Sequence, residues 1–136
     1  MAYDKPLPTP DPVTKPFWDS VKAHRMMLQK GSKSGKFVFY PRAISPYDPD
    51  EELVWTPVSG RGVVHAFTIP HRHPVQAFTK DGPYVVALIE LEEGAKMLTN
   101  LVGVAANPDA VKVGMAVEVA YDDVTDELTL PKFKPR

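Results

Sequence analysis

The second half of the chain is written in a period of two, and that period leaves few folds open. Val63, His65, Phe67 and Ile69 fall on one face of an extended segment, and Val64, Ala66 and Thr68 on the other. Successive side chains of a strand point to opposite faces, so this alternation predicts a half-buried strand. Similar runs occupy Val54 to Val58, Lys96 to Val102, Met115 to Tyr121 and Leu128 to Lys132. Tyr84 to Leu91 (YVVALIEL) is the most apolar and is expected at the centre of the sheet. Glu92-Glu93-Gly94 closes a hairpin, Asn107 to Gly114 is a short connection, and Asp122 to Asp126 is an acidic turn. Ser59-Gly60-Arg61-Gly62 predicts a bulge or sharp bend, because Gly inside a strand pattern marks unusual backbone. Five or six short strands divided by turns, with little helix, predict a small closed or nearly closed barrel.

The first third reads differently. There are fifteen prolines, many of them in the first 16 residues, near the middle and at the end. Proline fixes φ and removes a donor, so residues 1–13 are expected to form an extended arm. Thr14 is a candidate cap, Pro16 suits a first turn, and Phe17, Trp18 and Val21 share a face; a helix of two to three turns is expected up to His24. Met26 to Gln29 and Phe37 to Tyr40 predict a hairpin across a Gly/Ser knuckle at residues 31–36. Ala43 to Glu52 is a polar loop. The expected organisation is an arm (1–13), a helix with a hairpin (14–53) and a barrel (54–136).

Composition excludes several function classes. The chain has 136 residues, enough for one domain with a real core. Net charge is −1, so no basic field is available to hold a phosphate backbone, and nucleic acid is not an expected partner. There are no cysteines, which removes disulfides, thiolate zinc sites and a Cys nucleophile. That fits a reducing cytosol, and a cytoplasmic location is expected. Residues 1–14 are too polar for a signal peptide, and no apolar run approaches the roughly 20 residues of a membrane helix.

Taken in order, these segments resemble a known family. They are Phe17-Trp18, Met27-Leu28-Gln29-Lys30, Phe37 to Arg42 (FVFYPR), Val54-Trp55, Ser59 to Gly62, Tyr84 to Leu88, Leu98 to Val102, and Val113 to Val119. The chain resembles, nearly end to end, the acyl-CoA-associated OB-fold family catalogued as domain of unknown function thirty-five. The resemblance implies a mainly β protein: an N-terminal helix, a rubredoxin-like zinc ribbon, then a five-stranded OB-fold barrel. The ribbon of that family carries two CxxC pairs. Here the matching positions are Gly31 and Ser34, then Ser45 and Asp48. Gly offers no ligand and Ser is a poor one, so a degenerate, metal-free ribbon is expected. Phe37, Phe39, Tyr40 and Trp55 are the expected substitutes for the metal, since aromatic side chains bury large areas.

Individual sites are weak. His71, Arg72 and His73 form the one tempting cluster. Two imidazoles at i and i+2 lack a third ligand nearby, so metal is not expected there. Arg suits phosphate through its planar fork, and the cluster is a candidate contact for the phosphates of coenzyme A; the plain alternative is a solvated or partner-facing loop. His65 is read as a core or barrel-rim histidine. Glu92-Glu93 and Asp122-Asp123 read as solvated turns, not acid/base pairs. Ser59 and Thr125 lack a nucleophile context. Gly60-Arg61-Gly62 lacks phosphate-loop spacing and is read as backbone geometry. Phe17, Met26 and Met27 are read as packing, with a partner contact open for Trp18. The basic end Pro131 to Arg136 is read as a contact to acidic groups or a frayed tail.

No catalytic constellation emerges. The resemblance implies a non-catalytic accessory subunit that binds or positions acyl-CoA for a thiolase-like or other acyl-CoA enzyme in lipid metabolism. Two alternatives stand beside it: a free-standing protein for acyl-CoA or another small ligand, and a single-stranded nucleic-acid binder. The implied ligand is a coenzyme A thioester, with no zinc, and self-association is a further partner class.

Overall fold

The structure, a computed structural model describing residues 3–136, joins a short helix and a three-stranded sheet to a closed barrel. Helix α1 spans Lys15–Lys22, ending short of the expected His24. Thr14 does not cap it with its side chain. Instead Asp11 Oδ1 accepts from Val13 N (2.9 Å) and Thr14 N (2.8 Å), and Thr14 Oγ1 accepts from Asp11 N (3.0 Å). The short Asp side chain competes well for such backbone donors, so the turn forms one step earlier than expected. At the other end His24 takes a left-handed conformation (φ 57°). Its N–H bonds to Val21 O and that of Arg25 to Ser20 O, each at 2.9 Å, the Schellman closure usually made by Gly.

The small sheet has the order β2-β1-β3, from β1 (Met27–Gly31), β2 (Phe37–Val38) and β3 (Leu53–Pro57), all antiparallel. Strand β3 corrects the expected boundary. The sequence pattern places Val54 to Val58 in the barrel, but Trp55 pairs with Gln29 and Thr56 with Leu28, so β3 completes the ribbon-like sheet. Alternation marks a strand but not which neighbour it joins.

The barrel begins at β4 (Arg61–Thr68) and continues through β5 (Val85–Leu91), β6 (Lys96–Leu101), β7 (Ala116–Asp123) and β8 (Thr129–Pro135). It closes in the order β4-β5-β6-β8-β7, with β7 paired back to β4 and β6 parallel to β8 at Leu101–Phe133. This is the five-stranded barrel of an OB-fold. Strand β5 alternates between buried and half-buried along its length, as its central place requires. Val64, Ala87, Ile89, Met97, Val117 and Phe133 fill the interior, each at most 1% exposed. Full burial of such a side chain contributes about 1.5–3 kcal/mol.

Two features of β4 depart from its sequence pattern. The register with β5 shifts between Val64 and Ala66, so His65 is the extra residue of a bulge. It faces solvent, not the core or rim as expected, and Phe67 rather than Ala66 turns inward after it. Gly60 and Gly62 are indeed backbone geometry: Gly60 has φ +74°, and a Cβ on Gly62 would overlap the carbonyl of Glu90 on β5.

The loop between β4 and β5 contains a single helical turn, α2 (Gln76–Thr79). The basic end is no frayed tail. It forms β8, and Lys132 bonds Asp122 across the β7–β8 pair at 2.6 Å. None of the helices among the described residues is long and apolar enough to cross a membrane.

Candidate functional site

The ribbon centre carries the most concentrated chemistry. Glu51 precedes β3 and is 7% exposed. Its Oε1 accepts from the backbone N–H groups of Ser34 (2.7 Å) and Lys33 (3.0 Å). Its Oε2 accepts from the hydroxyls of Ser45 (2.5 Å) and Ser34 (2.9 Å). The Ser34 N–H and the Ser45 hydroxyl are the chief causes that hold this carboxyl down at about 2. A Cβ on Gly31 would fall on the carboxylate itself. The side chain therefore fills the space between the knuckles at Gly31–Ser34 and Ser45–Asp48. Those four positions do not fit a zinc ion. Gly31 has no donor atom, both hydroxyls are spent on Glu51, and Asp48 Oδ1 accepts from Asp50 N (2.9 Å).

Sequence reasoning assigned this stabilising role to aromatics alone, and they do take part. Phe17 lies fully buried with Trp18, Phe39 and Tyr40 edge-on around it, at centroid distances of 5.0, 5.5 and 6.1 Å. Trp18 Nε1 donates to the Tyr40 hydroxyl at 3.0 Å. Phe37 and Trp55 are partly buried against the core. A second polar clamp was also missed: Gln29, 5% exposed, accepts from Arg42 N and donates to Arg42 O, both at 2.8 Å. The amide so extends the ladder to a segment that has no strand partner.

The structure does not gather His71, Arg72 and His73 into one site. His71 and Arg72 are exposed on the β4–β5 loop. His73 is committed locally: its Nδ1 accepts from Val75 N at 2.9 Å and its ring lies 4.5 Å from that of Phe78. The expected solvated turns carry structural roles. Glu93 accepts from Ser59 N at 2.8 Å, and Glu92 faces Arg61 at 3.5 Å.

Asp123 meets an unexpected partner. Its carboxylate accepts from the Thr129 hydroxyl and lies 2.9 Å from His24 Nε2, and these two contacts, Thr129 first, lower its pKa. The His24 ring stacks on Tyr121 at 4.7 Å, and the Tyr121 hydroxyl accepts from Met26 N at 2.9 Å. A His–Asp pair can orient a general base, but the base must face a nucleophile. Thr129 donates to the carboxylate, and none of the hydroxyls among the described residues bonds the imidazole. The pair fastens the end of α1 to the barrel.

Beside the aromatic cluster lies a groove of about 340 Å³ between ribbon and barrel, lined by Trp18, Tyr40, Leu98, Leu130 and Pro131, with Pro8 at its edge. Leu98 is 68% exposed there. Such apolar exposure marks a contact surface more often than a reaction centre.

The comparisons with known proteins agree with this architecture. The family model described as "ChsH2, C-terminal OB-fold domain" matches residues 55–122. A probable enoyl-CoA hydratase alpha subunit of Thermomonospora curvata is 35% identical over 120 residues, covering 88% of this chain but 36% of that protein. The chain thus spans about a third of that relative's length. A DUF35 domain-containing scaffold protein of Methanocaldococcus jannaschii is 31% identical over 81% of this chain and 77% of its own length. A chain of the solved structure described as "Ltp2-ChsH2(DUF35) aldolase" superposes with a TM-score of 0.82 and 32% identity, covering 95% of this chain and 98% of that one. With a family model over half of the chain and a DUF35 relative above 30% identity matched over most of both lengths, the chain belongs to the DUF35 family of OB-fold proteins.

Proposed function

We propose that the chain is a non-catalytic accessory subunit that docks on a larger acyl-CoA enzyme of the thiolase type and helps to position its thioester substrate. The observation that carries this is the likeness, over 95% of this chain, to a chain of the structure described as "Ltp2-ChsH2(DUF35) aldolase", a description that names two components. The names of the other relatives, a hydratase alpha subunit and a scaffold protein, support the same role. Two physical observations favour it over the alternatives. The barrel interior is packed with side chains, so an acyl chain has no room inside a free-standing binder. Two of the barrel's basic residues are paired across strands, Lys132 with Asp122 and Lys134 with Glu118, which takes them out of the basic groove that single-stranded nucleic acid requires.

Within the complex we assign the exposed pair His71 and Arg72 to the phosphates of coenzyme A, contributed at the edge of the partner's site. Affinity capture of the chain from its native host tests the reading. Recovery of a thiolase-fold enzyme in stoichiometric amount is expected. Recovery of the chain only as a free monomer would contradict it.

A further inference from the structure

The arm does not hang free, and what holds it defines a binding face. Asp4 bonds Lys80 at 2.5 Å and Lys5 bonds Asp81 at 2.7 Å. An acid followed by a base thus meets a base followed by an acid, a reciprocal pairing of two adjacent residues with two others. Tyr3 and Lys5 lie over a cavity of about 130 Å³ whose floor includes Phe78, Tyr84 and Asn100. Further along, Pro8 lines the groove with Trp18, Tyr40 and Leu98, and Leu7 and Pro10 line a second cavity together with the β7–β8 turn at Thr125 to Leu128. The arm so crosses β5, β6 and the two loops that flank one side of the barrel, the side on which OB-folds carry ligands.

The grip is light. Residues 3–10 make no backbone-to-backbone hydrogen bond among the described residues. Prolines at 6, 8 and 10 have no N–H to offer. Both ion pairs are partly exposed, and exposed pairs hold weakly. Only Tyr3, Lys5 and Pro8 of this stretch are better than exposed. A segment that is specified by charge order and yet held so lightly has the properties of a displaceable ligand. It stays in place through its tether at the Asp11–Thr14 turn, which supplies an effective concentration on the order of millimolar.

We infer that this side of the barrel is a docking face for an extended, proline-rich polypeptide segment that carries an acid followed by a base, and that the chain's own arm occupies it until a partner's segment of that chemistry takes its place. Charge order is the selecting feature, since Lys80 and Asp81 present the complementary pair. The hydrophobic floor then accepts whatever aromatic or prolyl groups flank it. The inference goes beyond the proposed accessory role and holds whichever enzyme the partner is.

The test uses the full chain and a synthetic peptide of residues 1–13. In the variant Asp4→Lys/Lys5→Asp the resident arm can no longer pair, and the face is open. Titration with the wild-type peptide is expected to shift the amide signals of residues 78–84 and Asn100, half-saturating several-fold below the roughly millimolar effective concentration of the tethered arm. The wild-type chain, which carries its own competitor, is expected to bind the peptide several-fold more weakly. The variant Lys80→Asp/Asp81→Lys is expected to ignore the wild-type peptide but to bind one carrying the Asp4→Lys/Lys5→Asp exchange. Unchanged barrel signals in each variant show that the fold is intact. If the opened chain shows no shifts at several millimolar peptide, or if the peptide binds the Lys80/Asp81 variant equally well, the inference is wrong.

Discussion

Replacing Gly31 by Ala tests the polar centre of the ribbon through a change of sign. A Cβ at Gly31 would overlap both oxygens and the carboxyl carbon of Glu51. A flexible side chain would ordinarily swing aside. This one is held by two amides and two hydroxyls, so moving it gives up four hydrogen bonds to a charged group. The cost of overfilling a tightly packed position is about 1–3 kcal/mol, and Gly31→Ala is expected to fall in that range. In a Glu51→Ala background the obstacle is gone. Gly31 lies in β1 without a positive φ, so Ala fits its backbone. There the substitution should be neutral or stabilise by about 0.4–1 kcal/mol, through the lower entropy of the unfolded chain. Urea unfolding of the four proteins gives the cycle directly, with Trp55 on β3 as a fluorescent reporter opposite Gln29. Equal costs in both backgrounds would refute the claim that the carboxylate fills the knuckle.

Acid should act on the same centre. The Glu51 carboxyl titrates at about 2 in the fold against an ordinary 4.5, so its contribution is complete above about pH 4.5 and is lost as the pH falls toward 2. Glu51→Gln should flatten stability over that window, and a wild-type and variant pair with parallel acid profiles would contradict this. At the helix end, the left-handed His24 makes Ala the wrong replacement and Gly the better one. Both lose the Asp123 contact and the Tyr121 stack, but His24→Ala should be less stable than His24→Gly by about 1 kcal/mol, measured by thermal or urea unfolding.

The barrel was legible because its strands bury one face, and burial imposes a period of two. Val85, Ala87, Ile89 and Leu91 are buried as their spacing requires. His65 was misplaced because a bulge adds one residue that no alternation announces, and every later residue of β4 then changes face. Strand β3 was recognised as a strand but given to the wrong sheet, since register and partner are set by long-range packing. Glu51 sits in the run Asp48-Pro49-Asp50-Glu51-Glu52, which reads as a solvated loop. The only signal in the sequence was indirect: a glycine and two serines at knuckle positions leave a small, donor-rich space for a long acid to fill. His24 and Asp123 lie 99 positions apart, and no local pattern joins them. The proposed acyl-CoA role rests on resemblance, not on any cluster of reactive side chains.

The proposed role requires that the chain work through another protein. Turnover of an acyl-CoA thioester should be measured for the purified chain, for any enzyme captured with it, and for the two together. No turnover by the chain alone is expected, and activity of the mixture above that of the enzyme alone. Robust turnover by the single chain, or a mixture no faster than the enzyme, would contradict it.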